Sequence, residues 1–266
     1  MKHIFGIAAL ALSLLGNTNM VAQNGFCGVA NKCLNHGEKL NFKVYYNLGA
    51  VWVGAGEANF TTKEEQLNGH PVYHIVGNGA TYKSYDWIFK VRDKYETFID
   101  MNTLLPLKFL RSVSEGDYHF TNNVTFDQTA HKAYSDKKIF AVPDCVQDVL
   151  SAIFYARNID YDKYAAGTKI PFGMFLDNEV FGLYIRYHGK ETVNTKYGTF
   201  RAIKISPLLI KGTIFEGGEK MTIWVSDDAN HIPLRVDSPI LVGSIKVDMM
   251  GCNNLKHPLS SLVKKK

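Results

Sequence analysis

The sequence predicts a mainly β protein: an antiparallel meander forming a barrel or barrel-like sandwich from two related β units, with one connecting helix. Three observations carry that expectation. Apolar and polar residues alternate with period two through much of the chain, turn-forming residues punctuate the runs, and one strand-turn-strand pattern occurs twice.

The chain opens on residues that read as an export signal. Lys2 gives a positive start, Ile4 to Leu15 is an apolar run interrupted only by Ser13, and Ala22 is a small residue suited to cleavage before Gln23. A run of that length is too short to cross a hydrocarbon core of roughly 30 Å as a helix. The expected organisation is a signal peptide over 1–22, a cysteine-bearing arm over 23–37, one β-rich domain over 38–256 and a basic, solvated tail over 257–266. Phe26 occupies the position before Cys27 where lipidation needs a small residue, so the product is expected in the periplasm or cell envelope without a lipid anchor.

An even cysteine count in an exported chain favours disulfides. Cys27, Cys33, Cys145 and Cys252 admit three connectivities, and the expected one joins Cys27 to Cys33 and Cys145 to Cys252.

Strand signatures begin at Leu40, where Leu40, Phe42, Val44 and Tyr46 share one side and Asn41 and Lys43 the other. Tyr118 to Asp127 and Leu241 to Met249 alternate in the same way. Asn68-Gly69, Tyr197-Gly198, Gly217-Gly218 and Asp227 to Asn230 supply turns. Gly54-Ala55-Gly56 lies within strand alternation and predicts a bulge, not a nucleotide loop. Ser84 to Val91 breaks the pattern as a short helical turn or apolar lid. Residues 145–158 are the better helix, with Val146, Val149, Leu150, Ile153 and Phe154 at helical spacing and Asp144 as N-cap.

The repeated pattern is a strand, an acid, a turn, and Pro-Leu-basic opening a new strand. Asp100 to Asp227 and Pro106 to Pro233 share one offset of 127. It predicts units of about 38–128 and 168–250 flanking the helix. Gly198 to Pro207, Met221 to Asp228, Ile232 to Val236 and Gly243 to Val247, together with Phe42 to Tyr46 and Gly54 to Ala58, resemble a family of exported bacterial proteins, domain of unknown function 3108. The resemblance covers nearly all of the chain after the signal. It implies a β-rich exported fold and brings no site residues with it.

Composition narrows the function classes. A formal charge of +5 is too modest to indicate nucleic acid, and 12% aromatic residues mark a folded domain. No Gly-x-Ser-x-Gly, phosphate loop or paired-His metal motif is present, so no catalytic residue, metal or cofactor is assigned. Trp52, Tyr82, Tyr85, Trp87 and Phe89 are the candidate ligand-binding residues, because aromatic faces stack on apolar or sugar ligands; core packing is the plainer reading of the same residues. The expected function is non-catalytic binding of a lipid or glycan of the envelope. The alternatives are a module docking another envelope protein and a hydrolase of envelope polymer, which would need carboxylates at perturbed pKa in a cleft.

Overall fold

A computed structural model of the chain describes residues 27–48, 51–210, 217–240 and 243–266. The signal segment 1–22, the first residues of the arm, and Leu241 and Val242 of the last alternating run lie outside them. No helix in the described residues is long and apolar enough to cross a membrane.

The strands fall into two consecutive meanders. The first comprises β1 (Lys39–Leu48), β2 (Val51–Leu67), β3 (His70–Thr81), β4 (Arg92–Asp100), β5 (Pro106–Glu115), β6 (Tyr118–Asp127), β7 (Lys132–Ser135) and β8 (Lys138–Ala141). The second comprises β9 (Lys169–Leu176), β10 (Glu179–Asn194), β11 (Gly198–Pro207), β12 (Thr222–Ser226), β13 (Pro233–Pro239) and β14 (Ser244–Asn253). Each strand pairs antiparallel with its sequence neighbour inside a meander. The two join where β1 pairs with β14, from Lys39 opposite Asn253 to Asn47 opposite Ser244. One continuous sheet results, with β8 and β9 at its ends. It is barrel-like and not closed.

The sheet curls around helix α1 (Val149–Ala156), which contacts both meanders. Leu150 and Phe154 of α1 pack in one core with Ile75, Ile99 and Phe109 of the first meander and Ile170, Ile185 and Ile203 of the second. The helix is shorter than the expected 145–158, and its N-cap is Asp148, not Asp144. Asp148 Oδ1 accepts from the amides of Leu150 and Ser151, and Ser151 Oγ accepts from the Asp148 amide, a reciprocal capping box. Asp144 lies outside the helix and faces His131. Gln147, just ahead of the cap, uses its backbone to bond Gly173 and Phe175, which covers part of the free edge of β9. Side chains bridge the remaining gap. Phe140 of β8 meets Phe175 of β9 at 5.4 Å, and Arg111 pairs with Asp177.

The repeated sequence pattern forms two hairpins of shared geometry. β4–β5 and β12–β13 each carry a register shift just before the turn, at Phe98/Ile99 and Trp224/Val225. Each turn places a residue 127 positions apart, Leu104 and His231, in the left-handed region. The acids differ by one place: Asp100 Oδ1 accepts from the Asn102 amide, whereas Asp228, not Asp227, accepts from Asn230. Asp227 instead pairs with Lys190. The expected bulge is present at Ala55, between the pairs Val44–Gly56 and Tyr45–Gly54. A Cβ on Gly56 would stand 2.3 Å from the Ala80 carbonyl oxygen, so the bulge requires glycine there.

Two expectations about the chain ends are corrected. Cys27 bonds Cys145, and Cys33 and Cys252 are free thiols. Cys33 is buried in the core, where desolvation pushes its thiol up to about 11, and Cys252 sits on β14 opposite Leu40, with no cysteine in register. The tail is not a solvated coil. β15 (Leu262–Lys265) pairs with Gly198 to Phe200 of β11, extending the lane that the short β12 leaves unfilled, because Leu262 packs beside Phe200.

The N-terminal arm is tied down by polar contacts. Asn158 Oδ1 accepts from the Lys32 amide at 2.6 Å, and Tyr155 Oη accepts from Val29 at 3.2 Å. Where the arm meets β1, Glu38 and Arg157 form a two-pronged ion pair at 2.6 and 2.8 Å, both side chains 1% exposed. Arg157 Nε also donates to the Asn230 carbonyl in the β12–β13 turn. One guanidinium thus joins helix, first strand and second meander.

Three outcomes follow from these contacts. Arg157→Met leaves a buried carboxylate unpaired and lowers stability by roughly 3–5 kcal/mol in urea melts, while pairing it with Glu38→Leu recovers much of the loss. Cys27→Ser with Cys145→Ser, which opens a cross-link 118 residues long, lowers stability by roughly 2–5 kcal/mol on the same measurement. Burial raises the Asp148 carboxyl from 3.8 to about 6, against the hydrogen bonds it accepts from Thr97 and the helix amides. An acid with a raised folded pKa holds its proton preferentially in the fold. Its contribution is therefore complete below about pH 4 and is lost as pH rises through about 6. Asp148→Asn keeps the cap and flattens stability across that window in melts recorded at stepped pH.

Candidate functional site

The arrangement best suited to a ligand lies across the joint between the meanders. A groove of about 350 Å³ is lined by Tyr45 of β1, Trp52 of β2, Arg235 of β13, Lys246 and Asp248 of β14, Asn194 to Lys196 at the β10–β11 turn, and Lys266. Strand pairing sets these positions. Tyr45 lies opposite both Gly54 and Lys246, and Asp248 lies opposite both Lys43 and Arg235, so alternate residues of four adjacent strands share the outer face.

The polar groups are held in fixed geometry. Arg235 Nε and Nη2 donate to the two carboxylate oxygens of buried Asp248 at 2.7 and 3.0 Å. Lys246 Nζ stands 4.3 Å from the centre of the Trp52 ring, a cation–π contact, and Trp52 remains 41% exposed. Lys266 Nζ donates to the Thr195 carbonyl. Desolvation, then the nearby Asp248 carboxylate, raises the Tyr45 phenol above its ordinary value, which keeps its hydroxyl neutral and able to donate. Lys196, Arg235, Lys246 and Lys266 face one acid, Asp248, and the groove is cationic.

The five aromatic candidates separate. Trp52 lines the groove. Tyr82 stands beside it, sharing Lys43 with Tyr45 at 5.8 and 5.4 Å from the two ring centres. Tyr85, Trp87 and Phe89 belong to the β3–β4 connection, where Lys83–Tyr85 forms one 3-10 turn. Trp87 and Phe89 are solvent-facing, not core, at 83% and 53% exposure. Core packing therefore does not account for them. Tyr45, Arg235, Lys246 and Asp248 were the residues sequence reasoning missed. For Tyr45, Lys246 and Asp248 the signal is the outward half of the β1 and β14 alternation, which marks a face without showing that the two strands are neighbours.

A second groove, of about 360 Å³, is lined by Lys94, Glu96, Arg111, Ser112, Asn122 and neighbouring residues. Burial opposes ionisation of Glu96, but contacts from Lys94 and His74 outweigh it and hold the carboxyl below its ordinary value. Asp93 and Glu115 are raised by desolvation and hydrogen-bond each other. They line neither groove, and carboxyls in direct contact leave no space for a sugar bond and a water between them. Among the described residues no three His, Cys, Asp or Glu side chains come together to hold a metal.

The chain has no match among curated proteins. Among solved structures, a β-barrel-like protein of the DUF1849 domain of unknown function from Brucella abortus shares 9% identity at a TM-score of 0.53, covering 85% of this chain and 99% of that one. That likeness concerns the fold alone. A candidate lipoprotein from Parabacteroides distasonis has a TM-score of 0.36 at 12% identity, over 82% and 96% of the two chains. A candidate exported protein with a YmcC-like fold from Bacteroides fragilis has 0.31 at 11%, over 86% and 100%. The family described as a protein of unknown function, DUF3108, matches residues 41–250, and the chain belongs to that family.

Proposed function

We propose that the chain is an exported, non-catalytic binding protein that holds an anionic glycan of the cell envelope in the groove across β13, β14, β1 and β2. The observation that carries this reading is the exposed Trp52 ring, fixed by Lys246 at 4.3 Å, within a groove that also presents Lys196, Arg235 and Lys266. Sugar recognition combines an aromatic face for the C–H side of the ring with charged and hydroxyl groups for its polar edge. Tyr45 and Asp248 supply a donor and an acceptor, and the excess of cations favours carboxylate-bearing or phosphate-bearing saccharides.

The interior supports the same choice. α1 and its aromatic neighbours, including Phe60, 5.8 Å from Phe154, occupy the inside of the curl. That packing directs binding to the outer face and favours a glycan over an enclosed lipid tail. Export rests on the Lys2 to Ala22 signal and on the Cys27–Cys145 disulfide, which belongs to an oxidising compartment.

Titration calorimetry with uronic-acid oligosaccharides and their neutral counterparts tests the reading. The acidic series binds, and Trp52→Ala or Lys246→Ala weakens it by roughly tenfold, the scale of one lost stacking or charge contact. Failure of both series to bind, or equal binding by both variants, would overturn it.

A further inference from the structure

Antiparallel pairing sends alternate turns to opposite rims of the sheet. The β1–β2, β3–β4, β5–β6 and β7–β8 connections share one rim, and half of the twelve exposed large apolar side chains of the described residues stand there: Val51, Trp87, Ile88, Phe89, Tyr118 and Ile139. The opposite turns, from β2–β3 to β12–β13, present none among the described residues. A random scatter of surface hydrophobes would not divide in this way.

The β3–β4 connection that leads this rim is built, not loose. The amides of Tyr85, Asp86, Ile88 and Phe89 bond carbonyls within the turn. Asp86 accepts from Thr81 Oγ1 at 3.0 Å and Arg92 Nη2 at 2.7 Å, which neutralises the acid inside the turn. Trp87 Nε1 donates to the Ser84 carbonyl at 2.9 Å, so its ring can leave water without an unpaired donor. The neighbouring tip supports it: Gly116 donates to the Lys90 carbonyl, and Phe89 lies where a Gly116 Cβ would be 3.2 Å from its ring. Lys83, Lys90, Lys137 and Lys138 are exposed beside these apolar groups, against two exposed acids, Asp117 and Asp136.

We infer that this rim is a membrane-seating edge that inserts Trp87, Ile88 and Phe89 into the interface of an anionic phospholipid surface. Ordered apolar tips fringed by lysine match the layering of such a surface, with acyl chains below and phosphate charge above. A protein partner would be expected to cover a continuous patch, whereas these side chains stand on separate turns around a rim. The inference is independent of the glycan groove.

The test is co-sedimentation of the chain beginning at Gln23, which retains every described residue, with vesicles of phosphatidylethanolamine and phosphatidylglycerol and with vesicles of phosphatidylcholine. The anionic vesicles bind it and the neutral ones bind it more weakly. Trp87→Ser with Phe89→Ser lowers partitioning at least roughly tenfold, and Lys83→Glu with Lys90→Glu removes the preference for phosphatidylglycerol. Both pairs change exposed side chains, and unchanged thermal melting confirms that the fold persists. Absence of vesicle binding, or binding that neither pair alters, overturns the inference. So does a dimer in sedimentation velocity that the Trp87/Phe89 pair dissociates, since the rim would then be covered by a second copy.

Discussion

The ladder between β1 and β14 is the constraint on which the rest depends. It makes two meanders into one sheet, bringing residues near the start of the domain beside residues near its end. The outer groove exists because of it. Tyr45 and Trp52 come from one side of the joint, Lys246, Asp248 and Arg235 from the other, and neither set forms a pocket alone. On the inner side the same joint lets Phe42 and Met249 share a core. The corresponding outer edges, β8 and β9, have no such ladder. They are held by Phe140 against Phe175 and by the backbone of Gln147, which explains why the sheet curls like a barrel without closing.

Much of this fold is legible in the chain, and what is missing has a common cause. Alternation over Leu40–Tyr46 and Tyr118–Asp127 identified β1 and β6, because period two reports which face is buried within one strand. The Pro106 and Pro233 turns identified two hairpins, which share a register shift before the turn and a left-handed turn residue. Local patterns do not report which distant strands meet. The Cys27–Cys145 pairing, the β15 addition and the groove residues all depend on such meetings. Of the aromatic candidates, Trp52 lines the groove, while Trp87 and Phe89 stand apart on the β3–β4 connection. A cluster in sequence on a hairpin need not be a cluster in space.

The buried Glu38–Arg157 pair shows how polar chemistry supplies specificity where apolar packing alone would be permissive. A guanidinium with 1% exposure needs its donors satisfied, and Glu38 ahead of the first strand and the Asn230 carbonyl in the β12–β13 turn supply the acceptors. The arm and the C-terminal segment close over the same region. Asn230 donates to the His257 and Pro258 carbonyls, and His257 approaches the Lys32 carbonyl at 2.7 Å. The arm around Lys32 and the C-terminal segment around His257 are thereby fastened to one corner of the molecule.

The placement of β1 in the middle of the sheet has a consequence for how the protein comes into being. A polypeptide emerging from its N-terminus presents β1 first, yet one side of that strand finds its partner only after β14 has appeared, some two hundred residues later in the order of synthesis. Until then β1 carries a row of unsatisfied amides and carbonyls, the kind of template on which nascent chains mispair with one another. Maturation is thus gated by arrival of the distal segment, and the interval before it is when a holdase chaperone would matter most.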